Sequence, residues 1–296
     1  MGEFCLLVVN YNTYEQTIAL VRQALRIVDH SVVVVDNCSS NDSLLKLQEA
    51  FRADDRVHVL ANTSNTGYGQ GNNVGLRFVK TELGQVEYVV VSNNDIVLTR
   101  AYRSFLLYCR DVFCSDDRTL AIGPTIRGLD GGYQSPKAAT GPGRDLFYSL
   151  LYPISYLVEM LRQRIFVSRR HPSKVFSLNG SFWCFDLKNF EKIGFFDERT
   201  FLYWEEEIVG IRAKRHCMPI VYDPRAAFVH KHGGTVSKEV TLRNYYRIFS
   251  ASHEVLLSYF PLSLRWLGHC AFRSRVALAY AMKCAIEGAR RLRNAV

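Results

Sequence analysis

The feature that most constrains the fold is the alternation of short apolar runs with helix-like segments through the first 125 residues. The apolar runs occupy residues 4–9, 32–36, 57–60 and 88–91. Helical patterns occupy about residues 14–28, a stretch from Asp42 that Ser39 or Asn41 could cap, and residues 69–80. Continuous apolar strands separated by helices are typical of a parallel sheet covered on both faces. The sequence therefore predicts an α/β fold.

The pattern changes after residue 125. Gly, Pro and Ser punctuate residues 128–143, and an aromatic, helix-like stretch follows at 146–161. A basic cluster comes next, made of Arg162, Arg164, Arg169, Arg170 and Lys174. Regular pattern resumes at Val175, with a helix expected at about 204–215. The sequence after residue 234 predicts two helices, at roughly 240–258 and 262–293.

Charge is distributed unevenly along the chain. The formal net charge is +9, and residues 231–296 hold eleven Lys or Arg against three acids. This asymmetry indicates an anionic partner such as a phosphate-bearing lipid, a membrane surface or nucleic acid, although a solvated helix face gives the same pattern. The eight cysteines are scattered without a C-x-x-C pair, which predicts reduced thiols and argues against a zinc site.

No segment has the composition of a secretory leader or a membrane span. The first residues lack a basic n-region, and their apolar run of six residues has the length of a strand. No uninterrupted apolar stretch reaches the roughly 18 residues that a spanning helix needs. A hydrophobic content of 48% and a charged content of 22% are ordinary for a soluble protein. We therefore expect a cytoplasmic protein.

Polar residues follow each predicted strand, at the edge where such sheets bind their ligands. The strand ends are Asn10-Tyr11-Asn12, Asp36 to Ser40, Asn62 to Gly71 and Asn93-Asn94-Asp95. A carboxylate such as Asp95, held by flanking amides at the end of a central strand, can bind a divalent metal that bridges a diphosphate. The same tripeptide is equally typical of a strand-terminating turn, because Asn and Asp favour turns.

Two further motifs carry candidate chemistry. Glu205, Glu206 and Glu207 open the helix expected at 204–215. They suit the helix dipole, and one of them could also serve as a general base. His230 follows a short apolar run, where it is either an ordinary surface histidine or a ligand for a metal or phosphate.

One ordered set of motifs within residues 4–235 indicates a family: VVNYN, VVVDNCSSND, NTGYGQGNN, VVVSNND, IGFFDERTFLYWEEE and DPRAAFVHKHGG. As a set they resemble family 2 glycosyltransferases of the GT-A fold, and they are most similar to the bacterial rhamnosyltransferase-like branch. The resemblance implies a Rossmann-like, mostly parallel sheet with C-terminal helices. Three regions are expected: a nucleotide-sugar-binding half (1–125), an acceptor and catalytic half of the same domain (126–235) and a basic helical region (236–296).

The resemblance implies roles for individual residues. The nucleotide-sugar would be bound by Asn10, Tyr11, Asp36, Asn65, Gly67, Gly71, Asn72 and Asn94. A Mg²⁺ or Mn²⁺ cofactor would be held by Asp95 and His230. Glu206 would be the catalytic base, with Glu205 as the alternative. The acceptor would be bound by Asn179, Gly180, Trp183 and Trp204.

The implied function is an inverting transfer of a sugar from a nucleotide-sugar donor to a glycan or polyprenyl-diphosphate-linked acceptor. dTDP-rhamnose is the favoured donor and a UDP-sugar the next, in the synthesis of bacterial surface polysaccharide or lipopolysaccharide. A catalytically weak glycan- or nucleotide-binding relative is the alternative, because Asn93 and Ile208 stand where the family tends to place acids.

Two other classes fit less well. A nucleic-acid-binding module would explain the basic residues but lacks a recognised motif. A dinucleotide-dependent oxidoreductase is disfavoured because residues 67–71 do not match G-x-G-x-x-G and follow the third strand.

The C-terminal helices predict peripheral docking on an anionic membrane, at the inner face of the plasma membrane. The apolar insertion groups would be Leu262, Leu264, Trp266 and Leu267. The surrounding cations would be Arg265, Arg273, Arg275, Lys283 and Arg290. The alternative is that these helices pack on the domain and their charges face water.

Overall fold

The computed structural model describes residues 2–136, 171–231 and 242–294, without the side chains of residues 242, 275 and 281–294. The described strands are β1 (Phe4–Asn10), β2 (Ser31–Asp36), β3 (Val57–Ala61), β4 (Tyr88–Ser92), β5 (Ile96–Val97), β6 (Ala121–Gly128), β7 (Ser173–Val175), β8 (Phe182–Asp186) and β9 (Ile220–His230). The described helices are α1 (Tyr14–Ile27), α2 (Ser43–Phe51), α3 (Tyr68–Glu82), α4 (Ala101–Ser115), α5 (Leu187–Lys192), α6 (Glu205–Arg215), α7 (Leu242–Leu257) and α8 (Leu262–Asn294). The stretch predicted at 146–161 and four residues of the basic cluster (Arg162, Arg164, Arg169 and Arg170) lie outside the described residues.

The sheet is mostly parallel, as the sequence predicts. Its strand order is β3-β2-β1-β4-β8-β6-β9-β5, and β7 pairs with β9. Strands β1 to β4, β6 and β9 run in one direction, whereas β5, β7 and β8 run in the other. The pairing of β6 with β9 shifts register between Pro124 and Thr125, so β9 bulges before Ala227. The predicted α/β fold is therefore confirmed.

The helices cover both faces of the sheet, and alternate residues of each central strand serve the two faces. In β1, Phe4, Leu6 and Val8 join the core formed with α1, α2 and α4. Cys5 and Leu7 join the core formed with α3, α5 and α6. Because both faces of the strand are buried, no position needs a polar side chain, which explains its continuous apolar run.

The C-terminal helices α7 and α8 are attached to the α/β domain through Trp204. Its indole Nε1–H donates to the Phe249 carbonyl at 3.1 Å, and its ring packs against His253 and Phe272. Tyr203 and Trp204 both adopt the left-handed backbone region, with φ of 76° and 71°. Such conformations cost about 1–3 kcal/mol each for residues other than glycine, so the surrounding packing must hold them in place.

A second attachment surrounds Asp197, which is 4% exposed. Arg199 donates to both carboxylate oxygens, from Nε at 3.0 Å and from Nη2 at 2.6 Å. Tyr259, in the turn between α7 and α8, donates its hydroxyl to Asp197 Oδ2 at 2.7 Å. Arg212 of α6 donates its Nε–H to the Tyr259 hydroxyl at 2.8 Å. The carboxylate therefore ties the segment before α6 to the C-terminal helices.

This cluster predicts a specific acid sensitivity. Burial raises the pKa of Asp197, but hydrogen bonds from Arg199 and Tyr259 outweigh burial and hold the pKa at about 2. A carboxylate whose pKa is lowered by folding stabilises the protein above its unfolded pKa of about 4, and this stability is lost as the pH falls through the folded value. Urea denaturation should show the free energy of unfolding falling between about pH 4 and pH 2, and falling less in Asp197→Asn.

The matched control is Asp55→Asn, because Asp55 is exposed and has no ion pair in the part of the chain that the structure describes. Its stability should follow the wild-type pH dependence. An Asp197→Asn variant that loses as much stability as the wild type between those pH values would contradict the role given to Asp197.

Candidate active site

The carboxyl ends of β1 and β2 and the segment after β3 meet at one rim of the sheet. The Asn37 N–H donates to the Asn10 carbonyl at 2.8 Å. The Asn62 N–H donates to the Asp36 carbonyl at 2.9 Å. The strand-end motifs, which are separate in sequence, are therefore adjacent in space, as expected for a sheet of this type.

Asn94, after β4, is joined to the same rim through threonine hydroxyls at the start of α1. Its Nδ2 donates to Thr13 Oγ1 at 2.8 Å and to Thr17 Oγ1 at 3.0 Å. The Thr17 hydroxyl in turn donates to Asn10 Oδ1 at 2.8 Å. This network fixes the position of Asn94 relative to β1.

Asn10 and Asp36, predicted to bind the nucleotide, face each other inside the rim. They are 0% and 2% exposed. Asp36 Oδ1 accepts hydrogen bonds from Asn10 Nδ2 at 2.8 Å and from the Ser39 hydroxyl at 2.6 Å, and Oδ2 accepts from the Ser39 N–H at 3.0 Å. Both side chains brace the loop after β2 here, whereas the neighbouring Tyr11 is partly exposed.

Asn37 organises the loop around Asn65, and the sequence did not single it out. Its Nδ2 donates to Asn65 Oδ1 at 3.0 Å and to the Gly67 carbonyl at 3.1 Å. Its Oδ1 accepts from Asn62 Nδ2 at 2.9 Å. The sequence feature that could have identified Asn37 is its position directly after Asp36, among the polar residues that follow β2.

Gly67 is required by the backbone and by a close approach. Its φ is +98°, in the region that favours glycine, and a Cβ there would overlap the carbonyl oxygen of Phe201. The Tyr68 N–H donates to that same carbonyl at 2.9 Å. The loop before α3 and the segment before α6 therefore meet at Gly67.

Gly71 and Asn72 lie deeper than residues that line an open pocket. A Cβ at Gly71 would lie 3.3 Å from Asn37 Cγ and from Val9 Cγ1, so glycine allows α3 to pack closely on β1. Asn72 is 0% exposed, and its Nδ2 donates to the Tyr68 carbonyl at 2.9 Å. Its Oδ1 is buried and accepts no hydrogen bond from the described residues, which is a costly state for an amide oxygen.

Asp95 and His230, the predicted metal ligands, lie side by side. The pairing of β5 with β9 brings Asp95 Oδ1 to 3.0 Å from His230 Nε2. His230 Nδ1 lies 2.9 Å from Gln134 Oε1. Because an amide oxygen can only accept, Nδ1 is the donor in this arrangement, which leaves Nε2 facing Asp95. Gln134 lies 96 positions before His230, and no sequence pattern connects the two residues.

This pair fits a divalent cation in its donor chemistry. Asp95 Oδ1 is buried and accepts no well-oriented hydrogen bond within the described residues, although His230 Nε2 is close enough for an ion pair if the ring is protonated. A divalent cation would be held by the Asp95 carboxylate and by His230 Nε2 of the unprotonated ring, and it would compensate the buried negative charge. No group of three or more His, Cys, Asp or Glu side chains in residues 2–136, 171–231 and 242–294 could hold a metal. Diphosphate and water oxygens would therefore have to complete the coordination.

The acidic motif opens α6, and its three carboxylates differ in exposure. Glu205 and Glu207 are 4% and 9% exposed, whereas Glu206 is partly exposed. Glu206 Oε1 accepts the Gly180 N–H at 2.9 Å. Ile208 is 0% exposed, so an apolar side chain occupies a buried position where the family tends to place an acid.

Asn179 and Gly180 form a fixed turn beside Glu206. Asn179 Oδ1 accepts the Ser181 N–H at 3.0 Å, and the Asn179 N–H donates to the Ser135 hydroxyl at 3.2 Å. A Cβ at Gly180 would lie 2.7 Å from Glu206 Oε1, so only glycine fits without displacing the carboxylate. The structure thus brings this predicted acceptor segment to the predicted base.

The two predicted acceptor tryptophans support the site from within the protein. Trp183 is 2% exposed, stacks on Phe185 and donates its indole N–H to the Asn179 carbonyl. Trp204 packs against the C-terminal helices through Phe249. Trp183 thus holds Asn179 from the core, and the acceptor role predicted for the two tryptophans stays a prediction.

Comparison with known proteins places this arrangement in a family. The model described as Glycosyl transferase family 2 matches residues 5–163, which is more than half of the chain. The chain belongs to glycosyltransferase family 2. The family predicted from the ordered motifs is thereby confirmed.

Two relatives of this family 2 chain carry informative names. Low-salt glycan biosynthesis hexosyltransferase Agl10 of Haloferax volcanii is 28% identical over 221 residues, covering 73% of this chain and 62% of that protein. N-acetylglucosaminyl-diphospho-decaprenol L-rhamnosyltransferase of Mycobacterium tuberculosis is 26% identical over 220 residues, covering 71% of this chain and 69% of that protein. The match therefore spans less than two thirds of the length of Agl10.

Solved structures confirm the GT-A fold expected of a family 2 chain. S. aureus TarS 1–349 in complex with UDP-GlcNAc superposes with a TM-score of 0.55 at 16% identity, covering 91% of this chain and 71% of that one. The mannosyltransferase PcManGT from Pyrobaculum calidifontis, in complex with GDP-Man and Mn²⁺, superposes with a TM-score of 0.52 at 15% identity. The superposition covers 98% of this chain and 80% of that one.

The contact at Gly67 yields a direct test of the site's construction. Gly67→Ala should lower the free energy of unfolding by about 2 kcal/mol or more, because the new methyl group combines an unfavourable φ with overlap of the Phe201 carbonyl. Thermal or urea denaturation measures the loss. Gly84→Ala is the matched control, since its Cβ would meet no atom within 4 Å, and it should change stability by less than about 0.5 kcal/mol. Equal effects of the two substitutions would refute the requirement.

Proposed function

We propose that the chain is an inverting, metal-dependent glycosyltransferase that moves a sugar from a nucleotide-sugar to a polyprenyl-diphosphate-linked glycan. The observation that carries the proposal is the meeting of Glu206, the Asp95–His230 pair and the strand-end loops around Tyr68. The Tyr68 hydroxyl and the Glu206 carboxylate both bond to Gly180. The Asn93 N–H, two positions before Asp95, donates to the carbonyl of the adjacent Ser181 at 2.8 Å. A GT-A fold with a base and a cation site at one rim suits displacement at an anomeric carbon.

Glu206 acts as the base in this scheme. It takes the proton from an acceptor hydroxyl while that oxygen attacks the anomeric carbon, and the bond from that carbon to the diphosphate oxygen breaks with its electron pair leaving on the nucleoside diphosphate. Asp95 and His230 would hold Mg²⁺ or Mn²⁺, which when bound neutralises the charge of the diphosphate. One base and no protein nucleophile give inversion of configuration at the anomeric carbon.

Relatives support the choice of substrates. The mycobacterial relative is named as an L-rhamnosyltransferase acting on N-acetylglucosaminyl-diphospho-decaprenol. We therefore favour dTDP-rhamnose as donor and a lipid-linked GlcNAc as acceptor, with a UDP-sugar as the second choice of donor. The donor-binding assignments proposed for the rim and its loops are Asn10, Tyr11, Asp36, Asn65, Gly67 and Asn94. Gly71 and Asn72, also assigned to the donor, lie deeper, inside α3.

A catalytically weak, nucleotide- or glycan-binding protein is the second candidate. Asn93 favours it, because an amide stands where the family tends to place a second acid, with its Nδ2 at 3.4 Å from His230 Nε2. The buried Ile208 supplies no acid to the site. Such a protein would bind the donor without transferring its sugar.

Replacement of the base separates these two candidates. Glu206→Gln should lower kcat by about 10²- to 10⁴-fold and leave the thermal stabilisation by donor unchanged. The assay uses dTDP-rhamnose, then UDP-GlcNAc, with decaprenyl-diphosphate-GlcNAc and with or without Mn²⁺. Glu82→Gln, on the exposed end of α3, is the control and should keep wild-type kcat.

Each failure in this assay has a distinct meaning. Near-wild-type turnover by Glu206→Gln would assign the base to Glu205 or Glu207. Donor binding without transfer by the wild-type protein would establish the second candidate. Retained anomeric configuration in the product, measured by NMR, would overturn the single-displacement scheme.

We also propose that the start of α8 docks on an anionic membrane at the inner face of the plasma membrane, which would make the protein cytoplasmic and peripheral. Leu262 and Trp266, one helical turn apart, are 78% and 72% exposed, and Leu264 is 43% exposed. Arg273 is exposed on the same helix. Exposed apolar side chains together with basic side chains are typical of a helix that lies at a membrane surface. No helix in the described residues is long and apolar enough to cross a membrane.

The structure changes the set of cations assigned to this surface. Arg265 donates to the carbonyls of Phe260 and Ser258, so its guanidinium is held by the turn between α7 and α8 and is not available to lipid phosphates. Leu267 is only partly exposed. The side chains of Arg275, Lys283 and Arg290 lie outside the described residues.

Vesicle co-sedimentation tests the docking. Leu262→Ser combined with Trp266→Ser should reduce binding to vesicles of phosphatidylglycerol and phosphatidylcholine by about 10-fold or more, because each exposed apolar group contributes about 1–3 kcal/mol when buried. Leu45→Ser is the control, since Leu45 is 69% exposed on α2. Absence of wild-type binding to these vesicles would reject the docking.

A further inference from the structure

Tyr68 links the donor side of the rim to the catalytic carboxylate, although neither the motifs nor the family comparison gives it a role. It is the first residue of α3, directly after Gly67. Its hydroxyl donates to the carbonyl of Gly180 at 2.8 Å, across 112 positions of sequence. Its backbone N–H is bonded to Phe201, so both ends of the residue are held by the acceptor half of the chain.

Gly180 transmits this contact to Glu206. Its carbonyl accepts the Tyr68 hydroxyl, and its N–H donates to Glu206 Oε1 at 2.9 Å. The absence of a side chain lets the carboxylate approach closely, but it also leaves the backbone of Gly180 free to rotate unless its peptide groups are held. The hydrogen bond from Tyr68 supplies that restraint.

Neighbouring contacts fix the other side of this turn. The Ser177 hydroxyl donates to the Glu206 carbonyl at 2.9 Å, which holds the backbone of the base. The Trp183 indole holds the Asn179 carbonyl from the core. These contacts anchor the ends of the turn, whereas Tyr68 anchors its centre from α3.

We propose that Tyr68 is a positioning residue, which holds Gly180 so that its N–H fixes the orientation of the Glu206 carboxylate toward the acceptor hydroxyl. The proposal rests on the proposed role of Glu206 as the base. Its consequence is that the helix carrying the predicted donor-binding residues Gly71 and Asn72 also sets the geometry of proton removal. Positional errors of about 1 Å at such a group can cost about 10²-fold in rate.

The environment of the hydroxyl keeps it a donor. Burial, followed by the negative charges of Glu206 and Glu205, raises the pKa of Tyr68 far above its usual range. The phenol therefore stays protonated and cannot replace Glu206 as the base. A neutral hydroxyl is the form that the contact with the Gly180 carbonyl requires.

Steady-state kinetics of Tyr68→Phe give the first test. With dTDP-rhamnose or UDP-GlcNAc, whichever the wild type uses, kcat should fall by about 10-fold or more while the donor KM stays within about 2-fold. Tyr222→Phe is the control, because it also removes a buried hydroxyl contact, the one with the Thr125 hydroxyl at 2.7 Å, and neither of these residues has a role in the proposed site. It should keep wild-type kcat. A raised donor KM with unchanged kcat in Tyr68→Phe would overturn the proposal, since Tyr68 would then be a donor-binding residue.

A double-mutant cycle identifies the residue through which Tyr68 acts. In the Glu206→Gln background, Tyr68→Phe should lower the residual kcat by less than about 2-fold, because the group that it positions is already removed. A further loss as large as in the wild-type background would show that Tyr68 acts independently of Glu206, and the proposal would be wrong.

Hydrogen exchange tests the positioning without any substrate. In Tyr68→Phe, the peptide covering residues 177–183 should exchange about 10-fold faster at its most protected amide, because the Gly180 carbonyl loses the hydroxyl that holds the turn. Tyr222→Phe should leave that peptide unchanged. Unchanged exchange in Tyr68→Phe would overturn the positioning role. A wild-type protein that lacks transfer activity would instead overturn the proposed function, so the two failures are distinguishable.

Discussion

The site depends on one close approach between main chains, at Gly67 and the carbonyl of Phe201. The loop that begins α3 rests there on the segment that leads into α6. Tyr68 and Glu206 reach Gly180 from the two helices that start at this contact. A side chain at Gly67 would separate the helices, and the bonds to Gly180 would be lost with it. The position of the Glu206 carboxylate therefore depends on the packing of the backbone at Gly67.

Much of the fold could be predicted because it follows from local pattern. The run from Phe4 to Val8 is continuously apolar because its residues alternate between two buried faces, and a helix pattern follows it within a few residues. Because parallel strands bind ligands at their carboxyl ends, the sequence predicts that Asn10, Asp36 and Asn94 lie at one rim. The structure joins Asn10 to Asp36 directly and to Asn94 through the Thr17 hydroxyl. The division into three regions stays a prediction.

The orientation of individual side chains could not be predicted, because it depends on partners distant in sequence. Asp36 resembles an exposed strand-end acid, yet Asn10 and Ser39 occupy both of its oxygens. Trp183 lies in a motif expected to face an acceptor, but the strand pattern of β8 places it in the core. Gln134 lies in a stretch without regular pattern, so nothing local connects it to His230. The roles assigned to the site residues stay predictions.

The hydrogen bond between Tyr259 and Asp197 bears on where the minimal folding unit of this protein ends. A polypeptide that stopped at residue 235 would retain every motif of the family, yet it would lack the hydroxyl that shares the Asp197 carboxylate with Arg199. It would also leave the Trp204 indole without the carbonyl that accepts its proton. The left-handed turn into α6 would then lose its support. The C-terminal helices therefore complete hydrogen bonds of the α/β domain itself, and recombination that exchanges these helices has to preserve this junction.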